Sequence, residues 1–454
     1  MRTLAVTVII FGEYFVKLFG TSSQQSLLAI VLLVLNLGCS RSSDTRQVSG
    51  DIKTRLPWAS EGGEYSLQEV LLKGINSLYE FSGSFATFYI YPSTKESKIS
   101  GRSPKTRFLK TGELFVPQDT MTQQVAVIYA HMQGLAELDN KLGAGGVNTW
   151  PRDVGVSVRY SNNKGVQETN NAFYDGQTDS MLIVPYTQEN LPIPVNAGIL
   201  AHEHFHSLYF KLVEKKVFKS PLPLHGEDLR EAVLGVKVVE HNVLMPTEKN
   251  QGAGTYSRAL SRALNEGLAD FWAWVYTGDP DFLALSLPSE KSARTLNVSG
   301  VPREFTTAEL FQFRLDNSFS KADVGEHCWG VRVLYCLGSE FARTLTYFSR
   351  IVQDERSVSS SQARHIVGSA VIKALPLLRE AFLNLKEDEL LEPVQFFVMV
   401  QSSLPDIKEK EKLFIEGLVE ETLKPKVTVK EVPAPQEEEK EKETGPIVGV
   451  RGEK

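Results

Sequence analysis

The stretch His202-Glu203-His204-Phe205-His206 constrains this chain more tightly than any other part of it. It lies inside a segment from about 197 to 215 that reads as a helix, led in by Pro192 and Pro194. Positions i and i+4 sit about 40° apart around a helix, so His202 and His206 present their imidazoles to one point in space. Glu203 projects beside that point, placed to polarise a water held there. A nitrogen-rich pair of this kind suits a divalent metal, zinc above all, with one further protein ligand and a position left open. His204 faces away from the pair and reads as structural or exposed.

The third ligand must come from elsewhere in the chain. A histidine motif extended along the same helix would need Gly at 209 and His at 212. Tyr209 and Leu212 stand there and exclude it. A second helix, from about 257 to 276, carries Asn265-Glu266-Gly267-Leu268-Ala269-Asp270 among the aromatic residues Phe271, Trp272 and Trp274. Glu266 is the candidate third ligand. Asp270, one turn on, faces the same side and is placed to accept a hydrogen bond from the far nitrogen of a ligand imidazole. His225 and His241 are the competing third ligands.

H-E-x-x-H followed by N-E-x-x-x-D resembles the arrangement of the gluzincins, the thermolysin-like zinc metallopeptidases. Upstream, Val158-Arg159-Tyr160-Ser161-Asn162 and then Asn170-Asn171-Ala172-Phe173-Tyr174-Asp175-Gly176 resemble the segment leading to that family's substrate-binding edge strand. The resemblance runs from about 120 to 275. It implies a zinc-dependent endopeptidase acting on peptides or proteins, with Glu203 as general base and later proton donor. It also implies that Asn171 and Ala172 pair with the substrate backbone as an added strand. A histidine after the second zinc helix should stabilise the oxyanion; His327 in Asp323-Val324-Gly325-Glu326-His327 is the candidate, with Asp323 as its orienter and Tyr335 as the fallback. Two departures stand out: the stretch from 207 to 264 is far longer than in thermolysin, and Thr178-Asp179-Ser180-Met181 replaces an acidic calcium-binding loop, so calcium dependence is not expected.

The rest of the chain says where the protein works and how it is divided. A net charge of −6 over 454 residues gives no basic footprint, which argues against nucleic acid as a partner. Arg2 and Lys17 precede an apolar run, Leu27 to Leu35, that ends in Asn36-Leu37-Gly38-Cys39-Ser40. This describes an export signal. The small residue before Cys39 resembles the cleavage site of bacterial lipoproteins and implies a lipid on Cys39 and a place at the cell envelope, with Ser40 implying the outer membrane. An uncleaved membrane anchor is the rival reading. The chain has three cysteines; Cys328 and Cys336, eight residues apart, are too far apart for a disulfide within one straight helix, so no disulfide framework is expected.

The expected fold class is α+β, zincin-like: a strand-rich N-terminal lobe with the active-site helix at its edge, then a mainly helical lobe. The expected divisions are a signal peptide over 1–38, a tether over 39–56, the strand-rich lobe over 57–196, the helical lobe over 197–424, and a disordered acidic tail over 425–454. Strands are expected at Phe85 to Tyr91, Val154 to Tyr160 and Leu182 to Val184, and an amphipathic helix over 121–142. From about 326 to 422 helix follows helix, with breaks near Ser357 and Pro376. The alternative to an enzyme is a non-catalytic envelope lipoprotein that keeps such a fold.

Overall fold

In the computed structural model of the chain, the described residues are 48–95, 97–159, 167–218, 236–238, 244–246, 253–297, 307–317, 332–386 and 389–423. Cys39, His225, His241, Asp323, His327 and the acidic tail lie outside them.

The first strand, β1 (Gly50–Ala59), starts inside the span read as a tether. Ile52, Thr54 and Leu56 are buried, while Asp51, Lys53 and Arg55 alternate with them on the exposed face. That two-residue period is the mark of a half-buried strand, so residues 50–56 belong to the sheet. β1 pairs along its length with β2 (Tyr65–Ser77). The short β3 (Ser82–Gly83) leads to β4 (Ala86–Lys95). β4 runs on past Tyr91, where the expected strand ended, through Pro92 and Ser93. The register of its pairing with β5 (Lys98–Arg102) shifts between Ile90 and Ser93, and Pro92, which lacks an N–H, sits at that irregularity. β6 (Phe108–Thr111) and β7 (Leu114–Pro117) complete one end of the sheet.

Helix α1 (Thr120–Leu142) follows, capped by the Asp119 side chain on Thr122 N and closed by Gly143 in the left-handed region at φ 91°. Its buried residues include Val125, Ile128, Tyr129, Met132, Leu135 and Leu138, at the spacing of three and four that predicted it. It packs against β1, β2, β4 and β7 of the sheet. After it come β8 (Arg152–Val156), β9 (Ala172–Asp175) and β10 (Ser180–Ile183). β8 stops at Val156 rather than near 160, because Ser157 turns into positive φ (57°). The sheet runs in the order β6-β7-β1-β2-β3-β4-β8-β10-β9, with β5 attached to β4. β8 lies parallel to both β4 and β10, while β9 is antiparallel to β10 and forms the edge.

The remainder is largely helical: α2 (Ala197–Tyr209), α3 (Ala253–Thr277), α4 (Lys291–Arg294), α5 (Ala308–Asn317), α6 (Arg332–Arg356), α7 (Ser360–Asn384), α8 (Pro393–Ser402) and α9 (Glu409–Leu423). A small hairpin, β11 (Val236–Val238) with β12 (Leu244–Pro246), interrupts them. A strand-rich N-terminal sheet followed by a helical part is an α+β arrangement. Pro376 does not break its helix; it lies within α7, where buried Val371, Ile372, Ala374, Leu375 and Leu378 tie both flanking turns into the core. Only one backbone donor is lost at a proline, and packing on either side holds the helix together.

Cys336 is disulfide-bonded, which corrects the expectation of no disulfide. Cys336 lies in α6, and Cys328 lies outside the described residues. Among the described residues no helix is long and apolar enough to cross a membrane.

Candidate metal centre

Helix α2 is buried along its whole length, polar residues included. Its first turn is held by Asn196, whose Oδ1 accepts from Gly198 N (3.0 Å) and Ile199 N (3.1 Å) and whose Nδ2 donates to Phe282 O (2.8 Å). The cap therefore ties the start of α2 to the segment that follows α3. Past Tyr209 the helix widens into a π-turn, Phe210–Glu214. Burying His202, Glu203, His204, His206 and Ser207 on one helix is costly unless each finds a partner.

His202 and His206 meet with their Nε2 atoms 3.0 Å apart. Glu266, from α3, brings Oε2 to 3.4 Å from His202 Nε2 and 3.7 Å from His206 Nε2. One ligand atom from each of the three lies within 4.8 Å of the others, all three residues are buried, and the group could hold a metal ion.

The outer nitrogens explain why the inner ones face one another. His202 Nδ1 is 2.9 Å from Asp270 Oδ1, and His206 Nδ1 is 2.8 Å from Asn265 Oδ1. A carboxylate and an amide oxygen only accept, so each Nδ1 carries the proton and donates it. In the neutral rings both Nε2 lone pairs then point at one spot, next to a carboxylate. Such an electron-rich convergence needs a cation between its members, a metal ion or a proton, and two imidazoles with a carboxylate suit a divalent metal. Titration follows the same logic. Burial pushes His202 down, but its hydrogen bonds to Asp270 and Glu266 outweigh this and raise it to about 9. Burial holds His206 down at about 3. Burial also opposes ionisation of Glu266, yet the Arg262 guanidinium and His206 hold its carboxyl well below the usual range.

Glu203 borders the same centre, with Oε2 4.0 Å from His206 Nε2. Burial raises its carboxyl to about 7, tempered by His202. Oε2 accepts a hydrogen bond from the backbone N of Tyr174 on β9, at 3.1 Å. In the antiparallel ladder with β10, Asn171 O accepts from Val184 N. The alternation therefore turns the backbone groups of Ala172 and Tyr174 toward the open edge. Asn171 bends its own Oδ1 back to Ala172 N, at 2.9 Å. Both expected substrate-pairing residues thus stand at the rim of the centre, but the outward backbone belongs to Ala172 and Tyr174.

A narrow cleft joins these parts, lined among others by Asn171, Ala172, Glu203, Arg262, Arg294 and Tyr335. Tyr335 comes from α6, which crosses α3 where Gly267 meets Gly338. A Cβ at 267 would collide with the Gly338 carbonyl, and one at 338 would lie 2.7 Å from Ala263 O. This backbone contact sets Tyr335 against the centre.

Several contributors were not assigned from sequence. Arg262 puts Nη2 2.6 Å from Glu266 Oε1, a close charge contact whose alignment is not that of a hydrogen bond. Arg294 grips Asp270 through Nη2 and through Nε at 3.1 Å. Its guanidinium lies 5.1 Å from the centre of the Tyr335 ring. Asn265 Nδ2 donates to buried Glu214 Oε1 at 3.1 Å. Arg262 was findable, since 262, 266 and 270 share a helix face at a stride of four. Arg294 lies beyond the turn at Gly278 and carried no such signal.

His204 points the other way. Its Nε2 lies 3.0 Å from Asp139 Oδ2 on α1, and its ring stacks near Trp150. No protein-family model matches the chain, and no curated protein matches it.

Proposed function

We propose that this protein is a zinc-dependent endopeptidase of the thermolysin-like kind. The observation that carries the reading is the convergence of His202 Nε2, His206 Nε2 and the Glu266 carboxylate beside another buried acid, Glu203, at an open strand edge. A zinc ion held by these three residues supplies Lewis acidity, polarising the scissile carbonyl and lowering the pKa of water toward about 7.

The chain's own residues do the rest. Ala172 and Tyr174 turn their backbone outward, so an extended peptide can add to β9 as a further strand through their carbonyl groups, the two N–H groups being held by Asn171 Oδ1 and Glu203 Oε2. Glu203, fixed by Tyr174 N, accepts the proton of the attacking water and returns it to the departing amine. Asp270 and Asn265 keep both imidazoles in the tautomer that turns Nε2 inward, and Arg294 holds Asp270 in turn. Tyr335 lines the cleft and is placed to donate its phenolic hydrogen to a developing oxyanion. His327 remains the alternative donor.

In the same reading the chain is exported and held at a bacterial cell envelope by a lipid on Cys39. The disulfide at Cys336 accords with an oxidising compartment. Labelled fatty acid should be incorporated by the wild type and not by Cys39→Ser.

The decisive measurement is hydrolysis of casein or a quenched peptide by the 40–454 fragment, with metal analysis and with a chelator. Zinc near one equivalent with chelator-sensitive cleavage is the expected result. Zinc without cleavage of any peptide would turn the assignment toward a binding lipoprotein.

A further inference from the structure

We propose that Glu214 is a positioning residue of the metal centre: it fixes which way the Asn265 amide faces, and through it which nitrogen His206 turns to the ion. Glu214 thereby serves the centre on which the peptidase reading rests.

The two ligand imidazoles are held from behind by different groups. His202 Nδ1 faces the Asp270 carboxylate at 2.9 Å, and both oxygens of a carboxylate accept, so that partner needs no further orientation. His206 Nδ1 faces an amide, Asn265 Oδ1 at 2.8 Å. An amide has an accepting end and a donating end of nearly the same shape, and a half-turn about its last bond exchanges them. In the exchanged orientation Asn265 Nδ2 would donate to Nδ1 and the His206 proton would sit on Nε2. No lone pair of His206 would then face the ion.

Glu214 removes that choice. Asn265 Nδ2 donates to Glu214 Oε1 at 3.1 Å, and the exchange would set the amide oxygen against the carboxylate oxygen instead. Asn265 is 2% exposed and Glu214 6%, so little water is at hand to relieve two facing acceptors. Burial pushes the Glu214 carboxyl up to about 7, held down in part by Arg262 and the Asn265 hydrogen bond, so the purely accepting form prevails from about pH 8 upward.

The backbone shows how Glu214 arrives there. In a regular helix residue 214 would stand about 80° round from His206. The π-turn Phe210–Glu214 takes up one extra residue and brings 214 back toward the His206 face, where Asn265 of α3 lies. Tyr209 Oη and Ser261 Oγ, 3.1 Å apart, join the two helices beside it.

The test measures zinc affinity of the purified protein at that pH by competition with a chromogenic chelator, and needs no peptide substrate. Glu214→Met should weaken zinc about tenfold or more, within the range expected of groups that orient a ligand. Glu214→Gln can still accept through its amide oxygen and should stay close to the wild type. In an Asn265→Asp background both oxygens at 265 accept, so adding Glu214→Met should cost no zinc affinity there. That rescue and that coupling are what a merely structural carboxylate would not produce.

An equal loss with and without Asn265→Asp, or unchanged affinity in Glu214→Met, overturns the proposal. A wild type that takes up no zinc overturns the centre and the proposal together, whereas zinc uptake without peptide cleavage leaves the role of Glu214 standing. Should Glu214→Met fail to fold, Glu214→Ala takes its place in both backgrounds.

Discussion

Helix α2 buries an aspartate-paired histidine on each of two faces, and among the described residues only one face gathers a group that could hold a metal. His204 meets Asp139 at 3.0 Å and stacks near Trp150; its Nδ1 is buried with no hydrogen-bond partner among the described residues. His202 meets Asp270 at 2.9 Å, and its second nitrogen faces His206 and Glu266. Burial and a carboxylate partner are thus common to both. What separates a structural histidine from a candidate ligand is whether other electron pairs converge on its free nitrogen.

The largest effect that would break this contrast lies at Glu203. Glu203→Gln should keep zinc and lose roughly 10²–10⁴-fold in peptidase activity, the range expected of a general base. A variant that retains full activity on a quenched peptide would remove Glu203 from the mechanism. Next comes Glu266→Ala, which should strip the ion from the purified protein; metal analysis that finds an unchanged zinc content would show that Glu266 does not ligate. Asp270→Asn should weaken metal affinity roughly 10- to 100-fold by loosening the His202 ring, read out by competition with a chromogenic chelator. The counterpart on the other face is Asp139→Asn. It should cost about 1–3 kcal/mol of stability in a denaturant melt by leaving buried groups poorly paired. Zinc content should not change, and a loss of zinc comparable to that of Asp270→Asn would abolish the distinction between the faces. Smallest in its effect on the metal is Gly267→Ala. Overpacking at the α3–α6 crossing should cost about 1–3 kcal/mol, with the midpoint of unfolding as its measure.

Sequence made some of these elements readable and hid others for physical reasons. The helix over 120–142 was legible because Val125, Ile128, Met132 and Leu135 repeat at helical spacing. β1 was not, because Asp51, Lys53 and Arg55 on its exposed face give the segment the composition of a solvated tether. Pro376 suggested a break that tertiary packing of α7 overrides. The Cys336 disulfide escaped because spacing along the chain does not say which sulfurs the fold brings together. Arg294 could not have been found by spacing, since it is 92 residues from His202 and 24 from Asp270.

Sequence alone determined what lies within one helix. The i, i+4 spacing turns His202 and His206 to one point, and Glu266 and Asp270 share a face, because helical geometry is local. The tertiary structure decided which elements meet: Asn265 with His206 across 59 residues, Tyr174 N with Glu203 across 29, Tyr335 with the cleft through two touching glycines. Those meetings depend on how whole helices and an edge strand pack, and no period in the sequence encodes the distance between separate elements.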